Sequence, residues 1–146
     1  MTPPITIRLL EPKDALVLDR VAPDVFDNEV DARCPAEFLN DSRHHLAVAL
    51  DDGQVVGMAS ALHYVHPDKP PELYVNEIGV APSYRNQGVG RGLLKTLFAH
   101  GRTLGCAEAW LGTERTNGAA RRMVAAVGGE EEVEDTVIVW FDLHDL

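Results

Sequence analysis

Residues 72–112 constrain the fold more than any other part of this chain of 146 residues. Glu72-Leu-Tyr-Val-Asn-Glu-Ile-Gly-Val80 has strand composition, and Ala81-Pro82 ends it, because proline cannot donate to a ladder. A glycine-rich turn follows, in which Gly88, Gly90 and Gly92 alternate with other residues, and it opens into an apolar stripe of Leu93, Leu94, Leu97, Phe98 and Leu104. The spacing of three to four is that of one helix face, and Gly105 ends it. Cys106-Ala-Glu-Ala-Trp-Leu-Gly112 returns to strand composition. A strand, a crossover helix and a second strand call for a parallel pair with a right-handed connection. All-helical and purely antiparallel architectures are thereby set aside. Gly79 inside the first strand predicts a bulge or a close backbone approach.

The rest of the chain supplies the remaining layers. Ile5-Thr-Ile-Arg-Leu-Leu10 reads as a strand, and Pro12-Lys-Asp opens a helical stretch through Val21. From Pro23 to Cys34 the chain is acidic and irregular, with Asp24, Asp27, Glu29 and Asp31, and reads as a loop lining something before a short helix from Pro35 through Leu39. Leu46–Leu50 and Val55–Leu62 form a predicted hairpin turned at Asp52-Gly53. His66–Pro71 is a loop, Asn117–Val127 a helix broken by Gly128-Gly129, and Thr136–Leu143 a closing strand. The expected class is α/β (α+β mixed): one domain over 1–146, a twisted mixed sheet flanked by helices in the order β-α-α-β-β-β-α-β-α-β. That length holds about one hydrophobic core.

Hydrophobic residues at 45% and charged residues at 25% belong to a globular chain rather than a disordered one. No apolar run approaches the roughly 18 residues of a membrane span, and Met1-Thr-Pro-Pro lacks the basic and apolar regions of a leader, so a cytoplasmic location is expected. Cys34 and Cys106 predict two reduced thiols in the core rather than a disulfide framework. His63-x-x-His66 lacks a third ligand at matching spacing, so no metal is expected, and His44-His45 is placed at the surface. Thirteen basic and twenty-three acidic side chains leave a net charge of -10, which disfavours nucleic acid and anionic membranes and favours a cationic partner. Yet from Ile78 to Ala107 there is no acid at all, while Arg85, Arg91, Lys95 and Arg102 lie inside that window.

A glycine-rich turn at a helix N-terminus suits an anion, because the first amides lack intrahelical partners and the helix dipole is positive there. Two familiar anion motifs do not fit. A P-loop needs Lys-Ser or Lys-Thr directly after its last glycine, whereas Lys95-Thr96 comes later. A dinucleotide fingerprint needs Gly-x-Gly-x-x-Gly, whereas Gly88, Gly90 and Gly92 run Gly-x-Gly-x-Gly in the second half of the chain.

The run Asn76-Glu-Ile-Gly-Val-Ala-Pro-Ser-Tyr-Arg-Asn-Gln-Gly-Val-Gly-Arg-Gly-Leu-Leu94 resembles the central coenzyme A signature of the GNAT N-acetyltransferase superfamily, here as Arg85-x-x-Gly88-x-Gly90. The element order over about the whole chain is similar, as is a second segment at Asn117, Ala120 and Gly128. The acidic loop at Phe26-Asp27, the strand ending at Val80 and the C-terminal Val-Trp-Phe-Asp also resemble the aminoglycoside 3-N-acetyltransferase type I branch.

The resemblance implies acetyl coenzyme A as cofactor. The backbone about Gly79, at Ile78 and Val80, would pair with its pantetheine arm as an added strand. The amides of Gln87, Gly88, Val89, Gly90 and Arg91 would hold its pyrophosphate, helped by Arg85 and Asn86, with Asn117 and Ala120 beside it. Glu77 resembles the carboxylate that takes the proton of the attacking amine, and an N–H near Val80 the oxyanion donor. Asp27, Glu29, Asp31, His66 and Glu72 are expected to edge the acceptor cleft. The implied reaction is acetyl transfer to a primary amine of a small, cationic molecule, with a homodimer allowed for; the alternative is a non-catalytic coenzyme A-binding module. Many members carry a tyrosine acid seven residues after the Asn117 equivalent, where this chain has Val124, leaving Tyr74, Tyr84 or water as the expected substitute.

Overall fold

The computed structural model describes residues 4–132 and 135–144. Five strands form one mixed sheet in the order β1-β2-β3-β4-β5: β1 (Thr6–Leu9), β2 (His44–Asp51), β3 (Gln54–Tyr64), β4 (Glu72–Val80) and β5 (Glu108–Trp110). The first four pair antiparallel, and β5 lies parallel to β4, as the crossover requires. Asp52 (φ 48°) and Gly53 (φ 79°) both take the left-handed conformation of a tight primed turn, so the Asp-Gly pair sets the β2–β3 hairpin.

Helix α2 (Val89–Thr103) covers one face. Its stripe of Leu93, Leu94 and Leu97 is completely buried, and in the sheet Val48, Val55 and Val56 are completely buried as well. The fit is close at Gly57, where an added Cβ would meet Val89 at 3.0 Å and Leu93 at 3.4 Å. On the other face lie a 3-10 helix (Pro12–Asp19), α1 (Cys34–Asn40) and the loop between them. The helical stretch expected after Pro12 is thus a 3-10 turn. Leu18 is its one buried residue, so no apolar stripe rewards an α-helical pitch. Helix α3 (Gly118–Ala126) packs beside α2.

Three expectations are corrected. Thr136–Leu143 forms no strand: it joins no ladder, and Val137, Ile138 and Trp140 are 82%, 75% and 89% exposed. Its composition is that of a strand, but a strand exists only through a neighbour, and none of the described residues pairs with it. Cys34 is exposed at the start of α1, while Cys106 is half-buried. His45 is buried rather than superficial, because it sits inside β2 on the α2 face, against His63 and His100.

Candidate functional site

The site begins with one extra residue in β4. Ser60 of β3 is opposite Glu77, but the next residue, Ala61, is opposite Val75, so Asn76 is unmatched and forms a β-bulge. A bulge changes the facing of everything beyond it. Leu73 and Val75 are buried, with Leu73 against Gly101 of α2. Without the extra residue Glu77 and Gly79 would share that face. Instead they lie on the opposite one, where a Cβ at Gly79 would come within 1.9 Å of the Val25 carbonyl oxygen. The glycine expected to mark a bulge or a close approach makes the close approach, while the bulge lies three residues earlier, at Asn76.

The second construction element is a split. β5 pairs with β4 only from Glu72–Glu108 to Tyr74–Trp110, and then diverges. The amide of Ala81 donates to Val56 of β3 at 2.8 Å, so by alternation Glu77 and Gly79 address β3 as well. Ile78 and Val80 therefore turn their N–H and C=O groups to the opened edge, and Arg85 Nε reaches the Val80 carbonyl there at 3.0 Å.

Helix α2 closes the upper end of the split. Its N-cap, Gly88, has φ 80° and no side-chain cap, and the first i to i−4 bond is Gly92 N–H to the Gly88 carbonyl at 3.1 Å. The amides of Val89, Gly90 and Arg91 thus have no partner within the helix. No acid lies in this first turn, and nothing stands within 4 Å of a Cβ at Gly88. Asn86, also left-handed at φ 60°, folds the approach to the turn.

These parts enclose a cleft of about 860 Å³. Of the expected residues it is lined by Glu77, Ile78, Gly79, Val80, Arg85, Asn86, Gly88, Val89, Gly90, Arg91, Asn117, Ala120 and Asp27. Gln87 does not line it; its side chain closes the turn on the Ser83 carbonyl at 2.9 Å. Asn117 has a structural task first, its Oδ1 capping α3 through the Ala120 amide at 3.1 Å. Gly90 is buried against α3, where an added Cβ would lie 2.4 Å from Met123 Sδ. Val124 faces the cleft and brings no hydroxyl. Tyr84 also lines it, but its hydroxyl donates to Asp51, and this bond, with some burial, raises its pKa.

The expected acceptor residues divide. Asp27 is in the cleft, joined by Asp24, whose φ of 66° turns the loop toward it. Asp31 accepts from the Arg33 amide at 2.7 Å, and neither it nor exposed Glu29 reaches the cleft. His66 and Glu72 belong to a cluster at the base of the split: Glu72 accepts from Tyr64 at 2.7 Å and lies 3.5 Å from His66 Nε2. Sequence reading missed Arg122 and Met123, which line the cleft from α3. Their signal was the helix they sit on, once Asn117 is placed as its cap.

The model of the acetyltransferase (GNAT) family matches residues 14–128. The aminoglycoside N(6')-acetyltransferase type 1 of Salmonella typhimurium is 33% identical over 93 residues, covering 60% of this chain and 64% of that protein. The Salmonella enteritidis protein of the same name matches equally, so the chain aligns with somewhat under two thirds of the length of these relatives. Among solved structures, an aminoglycoside acetyltransferase from an uncultured soil metagenomic sample, in complex with sisomicin, superposes with a TM-score of 0.81 at 18% identity, covering 95% of this chain and 96% of that one. AAC(6')-Iy in complex with a coenzyme A bisubstrate analogue superposes at 0.78 with 24% identity, covering 96% and 99%. The split sheet, the bulged strand, the uncapped glycine turn and the family match agree: the chain belongs to the GNAT acetyltransferase family.

Proposed function

We propose that this protein transfers an acetyl group from acetyl coenzyme A, the donor the family uses, to a primary amine of a small cationic acceptor. The observation that carries this reading is the opened edge of β4, where Ile78 and the Val80 N–H face the split with no strand beside them, between Glu77 and the α2 amides that lack a partner within the helix. The chain's own groups fit the coenzyme. The Val89–Arg91 amides, with Arg85 and Arg91, suit a pyrophosphate, and the exposed strand edge suits an amide-bearing arm.

When bound, acetyl coenzyme A supplies an electrophilic thioester carbon and a thiolate leaving group. The residues then divide the work. Asp24, Asp27 and Glu77 draw an ammonium into the cleft. Glu77 is exposed to water and takes the ammonium proton directly or through a water molecule, since only the free amine attacks. The Val80 N–H on the opened edge donates to the carbonyl oxygen as negative charge grows there. With Val124 in the cleft, Tyr74 outside its lining and Tyr84 committed to Asp51, no tyrosine hydroxyl is placed to protonate a leaving thiolate; a thiol pKa of about 8.5 would let it leave unprotonated and take its proton from water.

Release of free coenzyme A thiol over a panel of amines tests the reading. Acceptor-dependent release that falls about 100-fold or more in Glu77→Gln supports it, that being the lower end of what proton transfer contributes. Coenzyme A binding with no release for any amine would establish the competing reading, a non-catalytic binding module, whose support is the missing hydroxyl at Val124.

A further inference from the structure

Trp110 is 51% exposed, yet it is held from two sides. Its indole N–H donates to Tyr64 Oη at 2.6 Å, and its ring packs on Tyr74 with centroids 4.4 Å apart and planes tilted by 36°. A surface tryptophan without a task lowers its free energy by folding over its neighbours. One fixed in orientation with half its surface in water presents a ready platform. The hydrogen bonds behind it run in one direction. Tyr64 has a single proton, which goes to Glu72 at 2.7 Å, so its oxygen accepts from Trp110 and the chain Trp110, Tyr64, Glu72 ends on a carboxylate.

This rack bridges β3, β4 and β5 where the split begins. Tyr64 is paired with Glu72 and Tyr74 with Trp110, so all four share a face. It is the face opposite Leu73, the one to which the Asn76 bulge moves Glu77. Tyr74 precedes Glu77 by three positions, one of them the bulge, which places the rack about 7–10 Å from Glu77 along the strand.

We propose that the Trp110 rack is a second acceptor subsite: the indole face, backed by Glu72, takes a second ammonium group of a ring-bearing diamine while the first amine reaches Glu77. This rests on the acetyl-transfer reading and names the acceptor it selects. An indole face is the strongest aromatic partner of a cation, and a carboxylate behind it adds charge attraction.

The probes are trans-1,4-bis(aminomethyl)cyclohexane and its one-amine counterpart cyclohexanemethylamine. The wild type is expected to favour the diamine in kcat/KM by about tenfold, chiefly through KM. Trp110→Ala should bring the ratio toward one, and Trp110→Phe, which keeps an aromatic face, should restore most of it. A merely structural role would lower both amines together and keep the ratio, and that result would overturn the proposal. In a Trp140→Phe background Trp110 is the sole indole, and the diamine should quench its emission saturably without acetyl coenzyme A. No quenching overturns the subsite; quenching with no turnover of any amine retains the subsite and overturns acetyl transfer.

Discussion

The position most sensitive to one added methyl group is Gly79. Its backbone is not left-handed, so Gly79→Ala tests contact rather than strain. The new Cβ would stand 1.9 Å from the Val25 carbonyl oxygen and 3.0 Å from its carbon, so β4 and the loop must part by roughly 1.5 Å to reach an ordinary contact. The loop cannot simply yield. Ala22 donates to the Val55 carbonyl and Val55 to the Arg20 carbonyl, each at 2.8 Å, and Val25 is only 3% exposed. Overpacking of this kind costs about 1–3 kcal/mol, and partial loss of the Val25 burial adds about 1 kcal/mol. For a domain of this size a total near 3 kcal/mol lowers Tm by about 9–12 °C. Scanning calorimetry reads it directly, with Gly112→Ala as control, because nothing lies within 4 Å of a Cβ at Gly112. The acceptor KM should rise as well, since Asp24 and Asp27 ride on the displaced loop. A Gly79→Ala protein melting within 2 °C of wild type, by this estimate, would refute the contact.

Arg91→Glu sets a carboxylate at the N-terminus of α2, which suits the helix dipole but opposes a bound pyrophosphate. Coenzyme A affinity by calorimetry should fall about tenfold with Tm unchanged, and an unaltered affinity would move the anion site elsewhere. Gly90→Asp would not separate these effects, because Gly90 is packed on Met123. His45 has its pKa lowered to about 4, first by burial and then by His100, His63 and His44, against a smaller opposing pull from Asp41. Its unfolded form takes up a proton near pH 6.5 and its folded form only near 4, so stability present above 6.5 is lost as pH falls between those values. The loss should reach about 2–3 kcal/mol in urea unfolding and shrink in His45→Phe; an equal pH slope in both proteins would rule the mechanism out. Trp140→Ser should shift stability by less than about 0.5 kcal/mol, as for any open surface position, and a large loss would mean that the segment packs.

The sequence by itself determined the local rules. Period and breakers placed β4 at Glu72–Val80 to the residue, Asp52-Gly53 set the hairpin turn, and the crossover dictated the parallel β4–β5 pair. The glycines and the acid-free window located the uncapped helix start, because backbone freedom and absent charge are properties of residue type. Tertiary structure decided the rest, since it depends on what lies opposite. The face Glu77 occupies follows from the unmatched Asn76, which no residue type announces. The same holds for the division between Asp27, which joined the cleft, and His66 with Glu72, which joined the Trp110 rack. Thr136–Leu143 shows the limit most plainly: β-branched and aromatic residues give a segment the capacity to be a strand, but the hydrogen bonds that make it one belong to a neighbour the sequence cannot name.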